Sequence, residues 1–263
     1  DGYGNQDMIR SVVYHQKPDI MWIMTDPRFW SWLWEMDNEV RSNIPLVYYH
    51  VWDNYPYPTF NKVWYDSNDF IAAISKVTHD IVSTVSPDVE NTYLPHAVNT
   101  KVYKQLEEEH ISNLRKESGF EEGKFVVFWN NRNARRKQPG TLIYWFKKFL
   151  DRVGHDKATL LMHTDPNDVN GPNLHAIIQE LGLLQGQVKF SVNKVDFEHL
   201  AAMYNIADVT VNISDAEGFG LSTLESLCCA TPIIVNMTGG LQKQVTDGEN
   251  WFGIGLEPSS KAV

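Results

Sequence analysis

The segment Ser214-Asp215-Ala216-Glu217-Gly218-Phe219-Gly220-Leu221-Ser222-Thr223-Leu224-Glu225 carries the densest set of groups able to do chemistry. It follows a predicted strand, Val209 to Asn212, and opens a predicted helix, Leu221 to Cys229. Glycines at 218 and 220 let the backbone approach a ligand closely, and a helix starting near Leu221 offers unpaired N–H groups of positive dipole character. That end suits a diphosphate. Glu217 falls in the loop and Glu225 just over one turn inside the helix; counted at the helical rise, the eight positions between them amount to ~12 Å. This is about the reach from a donor sugar across a diphosphate to a ribose. A carboxylate accepts two hydroxyl hydrogen bonds well, so vicinal diols on a hexose and a ribose are natural partners. By themselves, two glutamates at this spacing are more often solvated helix charges.

The run from Glu217 to Glu225 matches the E-x7-E motif of the retaining family-4 glycosyltransferases of the GT-B fold, which the chain resembles. The following residues, Glu225-Ser226-Leu227-Cys228-Cys229-Ala230-Thr231-Pro232, are similar to that family's segment, with Ala230 where glycine is common. Thr238-Gly239-Gly240 and Val245 to Asn250 look like its downstream loop. Upstream, Arg132 and Lys137 match its R-x4-K pair; a basic surface loop is the alternative for these residues and for Arg135 and Arg136. Pro45 to Asp53 looks like the strand and loop that bring a family histidine, here His50, to the donor sugar; a histidine satisfied by backbone groups at a strand end is its other reading. Tyr93 to Thr100 resembles the interdomain segment, with Asn99 in place of the usual Asp and His96 as a hinge residue. Asn193 and Lys194 occupy the region where the family holds the nucleobase.

The resemblance implies transfer of a hexose from a UDP- or GDP-sugar to an acceptor hydroxyl with retention at the anomeric carbon. His50, Arg132, Lys137 and Glu217 would be catalytic. Arg132 and Lys137 would neutralise the leaving diphosphate, with one rigid fork and one mobile point charge. Gly218, Phe219, Gly220, Leu221, Glu225 and Asn193 would bind the donor. No cofactor is expected. The chain has no D-x-D triplet and no close pair of histidines, so neither a metal-bridged diphosphate nor a zinc site is expected. Two alternatives stand: a truncated or degenerate module that binds a sugar nucleotide without turnover, and a related GT-B sugar-nucleotide epimerase.

These groups need a scaffold, and the alternation of short apolar runs with helical patterns predicts βαβ units on parallel sheets. Expected strands are Ile20 to Met24, Leu46 to His50, Phe70 to Ile74 and Thr92 to Leu94. A second series comprises Lys124 to Trp129, Thr159 to His163, Val188 to Phe190, Val209 to Asn212, Pro232 to Val235 and Phe252 to Leu256. Helices are expected at Glu107 to Lys116, Thr141 to Val153, Asn173 to Leu181, Asp196 to Asn205 and Leu221 to Cys229. The fold class is α/β, two Rossmann-like domains of GT-B type with the first incomplete. Residues 1–102 form the acceptor-side domain and 103–263 the nucleotide-sugar domain, hinged near 99–106. Both ends, at Asp1-Gly2-Tyr3-Gly4 and at Lys261-Ala262-Val263, read as cut, and uncovered apolar faces then favour self-association.

A net charge of −10 argues against coating nucleic acid or lying on anionic lipid. The only cysteines, Cys228 and Cys229, are adjacent and poorly placed to bridge, which fits a reducing, cytoplasmic setting. No stretch is long and apolar enough to span a bilayer. Phe29, Trp30, Trp32 and Trp34 read as a packed helix or as an acceptor or partner surface. The acceptor, whether glycan, lipid or protein, is left open.

Overall fold

The computed structural model describes residues 3–258, so the reading of the chain ends at Asp1, Gly2 and Lys261 to Val263 falls outside it. The chain divides into two compact units, with the division between His96 and Ala97, just before the segment expected to act as the hinge.

The N-terminal unit holds one parallel sheet of β1 (Met21–Ile23), β2 (Leu46–His50), β3 (Phe70–Ala73) and β4 (Asn91–Tyr93), in that spatial order. All four lie where the apolar runs put them. Every residue of β2 is buried, as a parallel strand covered on both faces requires. Helices α1 (Gln6–Gln16), α2 (Pro27–Trp34), α3 (Asp37–Arg41), α4 (Lys62–Asp66) and α5 (Lys76–Val85) accompany the sheet. Asp26 caps α2 ahead of Pro27, and Ser75 caps α5 by accepting from the Thr78 N–H. Leu33, Trp34, Leu46, Tyr48, Tyr65, Ile71 and Ile81 form the core. The aromatic run of α2 belongs largely to this core. Trp34 is buried and donates to Asn68 Oδ1 at 3.1 Å, Trp30 and Trp32 pack beside it, and only Phe29 is exposed, stacked on Tyr3.

The C-terminal unit holds β5 (Phe125–Asn130), β6 (Ala158–His163), β7 (Val188–Ser191), β8 (Val209–Asn212), β9 (Ile233–Asn236) and β10 (Gly253–Leu256). All pairings are parallel, in the order β10-β9-β8-β5-β6-β7. Numbered from its own first strand, this is the doubly wound Rossmann order, and the direction of winding reverses between β5 and β8. The period of two sorts the strand residues between layers. Val127 and Trp129 join Leu160 and Met162 in one core, beneath α7 (Pro139–Val153) and α8 (Leu174–Glu180). Val126 and Phe128 face the other, with Tyr204 of α9 (Phe197–Ile206). Helices α6 (Glu108–Glu117), α10 (Leu221–Cys228) and α11 (Leu241–Val245) complete the unit. The short α11 lies between Thr238-Gly239-Gly240 and the segment from Val245 to Asn250, where the sequence carried no expectation of a helix. Cys228 and Cys229 are unbridged. Among the described residues, no helix is long and apolar enough to cross a membrane.

Candidate functional site

Three central strands of the C-terminal unit end in asparagine: Asn130 on β5, Asn212 on β8 and Asn236 on β9. Ligands of open parallel sheets bind beyond the strands' carboxyl ends where the winding reverses, and the first two of these residues flank that point. The loop after β5 carries Arg132 to Lys137, and the loop after β8 carries Ser214 to Gly220.

The two loops are laced together. Arg136 donates to the Ala216 carbonyl at 2.7 Å, the Asp215 N–H donates to the Arg136 carbonyl at 2.8 Å, and Gln138 Nε2 donates to Asp215 at 2.5 Å. At their centre Lys137 Nζ donates to Glu217 Oε2. Only 9% of the Lys137 side chain and 12% of the Glu217 side chain remain exposed, so this ion pair is largely desolvated. Asn212 Nδ2 lies 3.4 Å from the same carboxylate oxygen, while Asn212 Oδ1 accepts from the Ser214 N–H at 3.1 Å and from its hydroxyl.

The segment after β9 clamps the loop from the other side. Asn236 Nδ2 donates to the Ile213 and Ser214 carbonyls, Thr238 Oγ1 to Asp215, the Gly240 N–H to Glu217 at 2.9 Å, and Gln244 Nε2 to Phe219 at 2.7 Å. Contact is so close that a Cβ on Gly239 would sit 1.8 Å from the Glu217 carbonyl oxygen. Gly220, at φ +88°, is the N-cap of α10 and has no side chain to cap the helix; the Thr223 N–H turns back to the Gly220 carbonyl at 3.2 Å, which leaves the Leu221 and Ser222 N–H groups for another acceptor. Leu221 begins α10 and is exposed; Phe219 is buried and Gly218 partly so.

Glu225 projects from the second turn of α10. Its Oε2 accepts the Tyr204 hydroxyl at 2.7 Å, and that hydroxyl in turn accepts from Asn130 Nδ2 at 2.8 Å. Burial pushes the Glu225 carboxyl above the usual carboxylate range, with the Tyr204 hydrogen bond acting in the opposite sense. Burial and the Glu225 charge also raise Tyr103, whose enclosed hydroxyl makes no hydrogen bond of good geometry.

Among the described residues of the C-terminal unit, Arg132 and Asn193 make no hydrogen bond to this cluster. The Arg132 guanidinium is 66% exposed and pairs with Asp168 at 2.6 Å, holding that carboxyl below its ordinary range. Asn133 fastens the Arg132 loop, donating to the Pro166 and Pro172 carbonyls. Asn193 is exposed in the loop after β7, at the sheet edge. In the N-terminal unit, His50 ends β2 with no exposed surface; its Nε2 meets the Tyr65 hydroxyl at 2.7 Å, and burial pushes its pKa down to about 3. His96 Nδ1 lies 2.9 Å from the Tyr49 hydroxyl.

The sequence reading did not single out Asn130, Tyr204, Asn212, Asn236, Thr238 or Gln244 as positioning groups. A cue existed for the asparagines, since each of three apolar runs ends in that residue. Tyr204 and Gln244 gave none, because nothing local distinguishes them from other helix residues.

The family described as "Glycosyl transferases group 1" matches residues 110–261, more than half of the chain. The D-inositol 3-phosphate glycosyltransferase of Corynebacterium jeikeium is 29% identical over 152 residues, covering 56% of this chain and 36% of its own. An alpha-monoglucosyldiacylglycerol synthase of Acholeplasma laidlawii is 26% identical over 181 residues, 67% of this chain and 43% of its own. The chain therefore spans less than half the length of these relatives. Among solved structures, sucrose-phosphate synthase from Thermosynechococcus elongatus superposes with a TM-score of 0.78 at 19% identity, over 97% of this chain and 64% of that one. HepE from Anabaena, in complex with UDP and glucose, gives 0.74 at 20% identity, over 95% of this chain and 67% of that one. At these identities the superpositions speak for the fold, two Rossmann-like units of GT-B type, and the matched residues 110–261 include every group of the laced loops. The chain belongs to the group 1 glycosyl transferases.

Proposed function

We propose that this chain transfers a hexose from a nucleoside-diphosphate sugar to an acceptor hydroxyl with retention, and that its C-terminal unit holds the donor. The observation carrying this reading is the desolvated Lys137–Glu217 pair at the reversal point of a parallel sheet, beside the uncapped start of α10. Lys137 would stabilise the charge that develops on the diphosphate as the glycosidic bond breaks, and the α10 N–H groups would receive phosphate oxygens. Arg132, exposed on its loop, would reach the same diphosphate by exchanging Asp168 for it. Glu217 would hold the donor sugar and Glu225 the ribose. The acceptor attacks from the leaving-group face, and a phosphate oxygen takes its proton, so the protein supplies position and charge without a covalent nucleophile or a metal. The HepE complexes with UDP and with UDP-glucose support a uridine donor. The unbridged Cys228 and Cys229 support a cytoplasmic setting. Exposed Ile254 and Leu256 on edge strand β10 support self-association.

One observation favours a second reading, donor binding without turnover: His50 is wholly buried and engaged by Tyr65, and a role at the reacting centre requires its exposure. Calorimetric titration with UDP, GDP and their glucose and mannose conjugates, beside release and transfer assays with labelled donor, separates the two. Transfer supports the first, binding alone the second. Absence of any nucleotide binding at millimolar concentration by folded protein would defeat both.

A further inference from the structure

We infer that Tyr204 is a positioning residue for the donor ribose, acting through Glu225 as the middle member of an Asn130–Tyr204–Glu225 chain. The inference rests on the reading of Glu225 as the ribose ligand. A phenol has one proton to give. Asn130 Nδ2 donates to the Tyr204 oxygen at 2.8 Å, and the Tyr204 hydroxyl lies 2.7 Å from Glu225 Oε2. A carboxylate can only accept, so Tyr204 must donate to it, and the Asn130 group facing the tyrosine must be its amide NH2. The direction of the whole chain is thereby fixed.

Each member is held by a different element. Asn130 ends β5, Tyr204 lies in α9, and Glu225 projects from α10. Tyr204 is fully buried, edge-on to Phe128 at 5.0 Å and to Tyr103 at 6.2 Å, so its ring has no room to swing. Its backbone carbonyl also accepts from Thr231 at 2.7 Å, which ties the segment after α10 to α9. One carboxylate oxygen of Glu225 is therefore pinned from a rigid core, which sets the plane of the group before ligand arrives. Pinning matters because a carboxylate on a glutamate has three rotatable bonds, and fixing them beforehand removes an ordering cost from binding. The Nδ2 of Asn130 belongs to the same sheet end that carries Arg132 and Lys137 on its following loop. The ribose ligand is thus referenced to the strand that also sets the diphosphate cations.

The test uses the full chain with UDP and 2′,3′-dideoxy-UDP, with the guanosine pair in parallel. Wild-type protein is expected to prefer UDP over the dideoxy compound by roughly 10–100-fold, as loss of a charge-assisted hydrogen bond implies. Tyr204→Phe should reduce that preference to below about threefold while leaving dideoxy-UDP affinity within about twofold of wild type. Donor KM should rise with kcat nearly unchanged, since ribose is held alike in ground and transition states. Asn130→Ser, which frees the tyrosine hydroxyl without deleting it, should lower the preference in the same direction by less, and it carries the test if Tyr204→Phe does not fold. An unchanged preference in both variants overturns the inference, as does an equal loss of affinity for both nucleotides, which marks a purely structural role. If wild-type protein binds UDP but shows no preference, the ribose assignment of Glu225 itself fails.

Discussion

Replacing Lys137 by Met tests whether the central ion pair is a structural fixture or a ligand site. The substitution keeps the length of the apolar stem and removes the ammonium. Glu217 then retains only the Asn212 amide at 3.4 Å, with 12% of its side chain exposed. Removing one partner from a buried pair costs about 3–5 kcal/mol, because the remaining charge is left without compensation. The residual exposure and the Asn212 contact put this site at the lower end, about 3 kcal/mol, or roughly 6–12 °C in the melting transition of a unit this size. Adding Glu217→Gln removes the stranded charge, so the double variant should recover most of the lost stability. Nucleotide binding should not recover, since the cation that meets the diphosphate is gone in both. Calorimetric melts and UDP titrations of wild type, both single variants and the double variant form a closed cycle. A Lys137→Met protein that melts with wild type, or a double variant that regains nucleotide affinity along with stability, would refute the reasoning.

Gly239→Ala should lower stability by several kcal/mol and abolish UDP binding, because its Cβ would meet the Glu217 carbonyl at 1.8 Å and φ there is +48°; soluble protein with normal affinity would count against the clamp. Burial raises the Glu225 carboxyl, so the folded state holds that proton more tightly than the unfolded chain does, and its contribution is present at low pH and lost as pH rises through the raised value. Glu225→Gln should then be at least as stable as wild type at neutral pH, while UDP affinity of the wild type should fall on acidification before ordinary carboxylates titrate; a pH-independent affinity would contradict this. The pKa of His50 is depressed to about 3, so the unfolded chain binds the extra proton and stability is lost as pH falls from 6.5 towards 3. The loss reaches up to roughly 5 kcal/mol at the acid end. Denaturant melts of His50→Gln, in which that acid slope should flatten, check the assignment.

Much of the scaffold was legible because it is local. Runs such as Leu46 to Tyr49 and Val126 to Trp129 are apolar throughout, and only a strand covered on both faces tolerates that over so few residues. Gly154 and Gly182 mark chain reversals, and Asn173 and Asp196 cap the helices that follow them, each for reasons confined to a few neighbours. The glycine turn with its flanking Glu217 and Glu225, and the basic loop containing Lys137, could also be seen in the chain as written. Their partnership could not. Lys137 and Glu217 are 80 residues apart, and only the sheet order, which sets β5 beside β8, brings their loops into contact. The same holds for Tyr204 against Glu225, and for Gly239 against the Glu217 carbonyl. Arg132 and Lys137 looked alike as cations, yet one is exposed against Asp168 and the other buried against Glu217, since solvation depends on what the fold lays over a side chain. Residue type and spacing decided where strands, turns and charges would be, because those depend on short-range sterics and periodicity. Which charges meet, and how dry they are when they do, was left to the packing of distant segments.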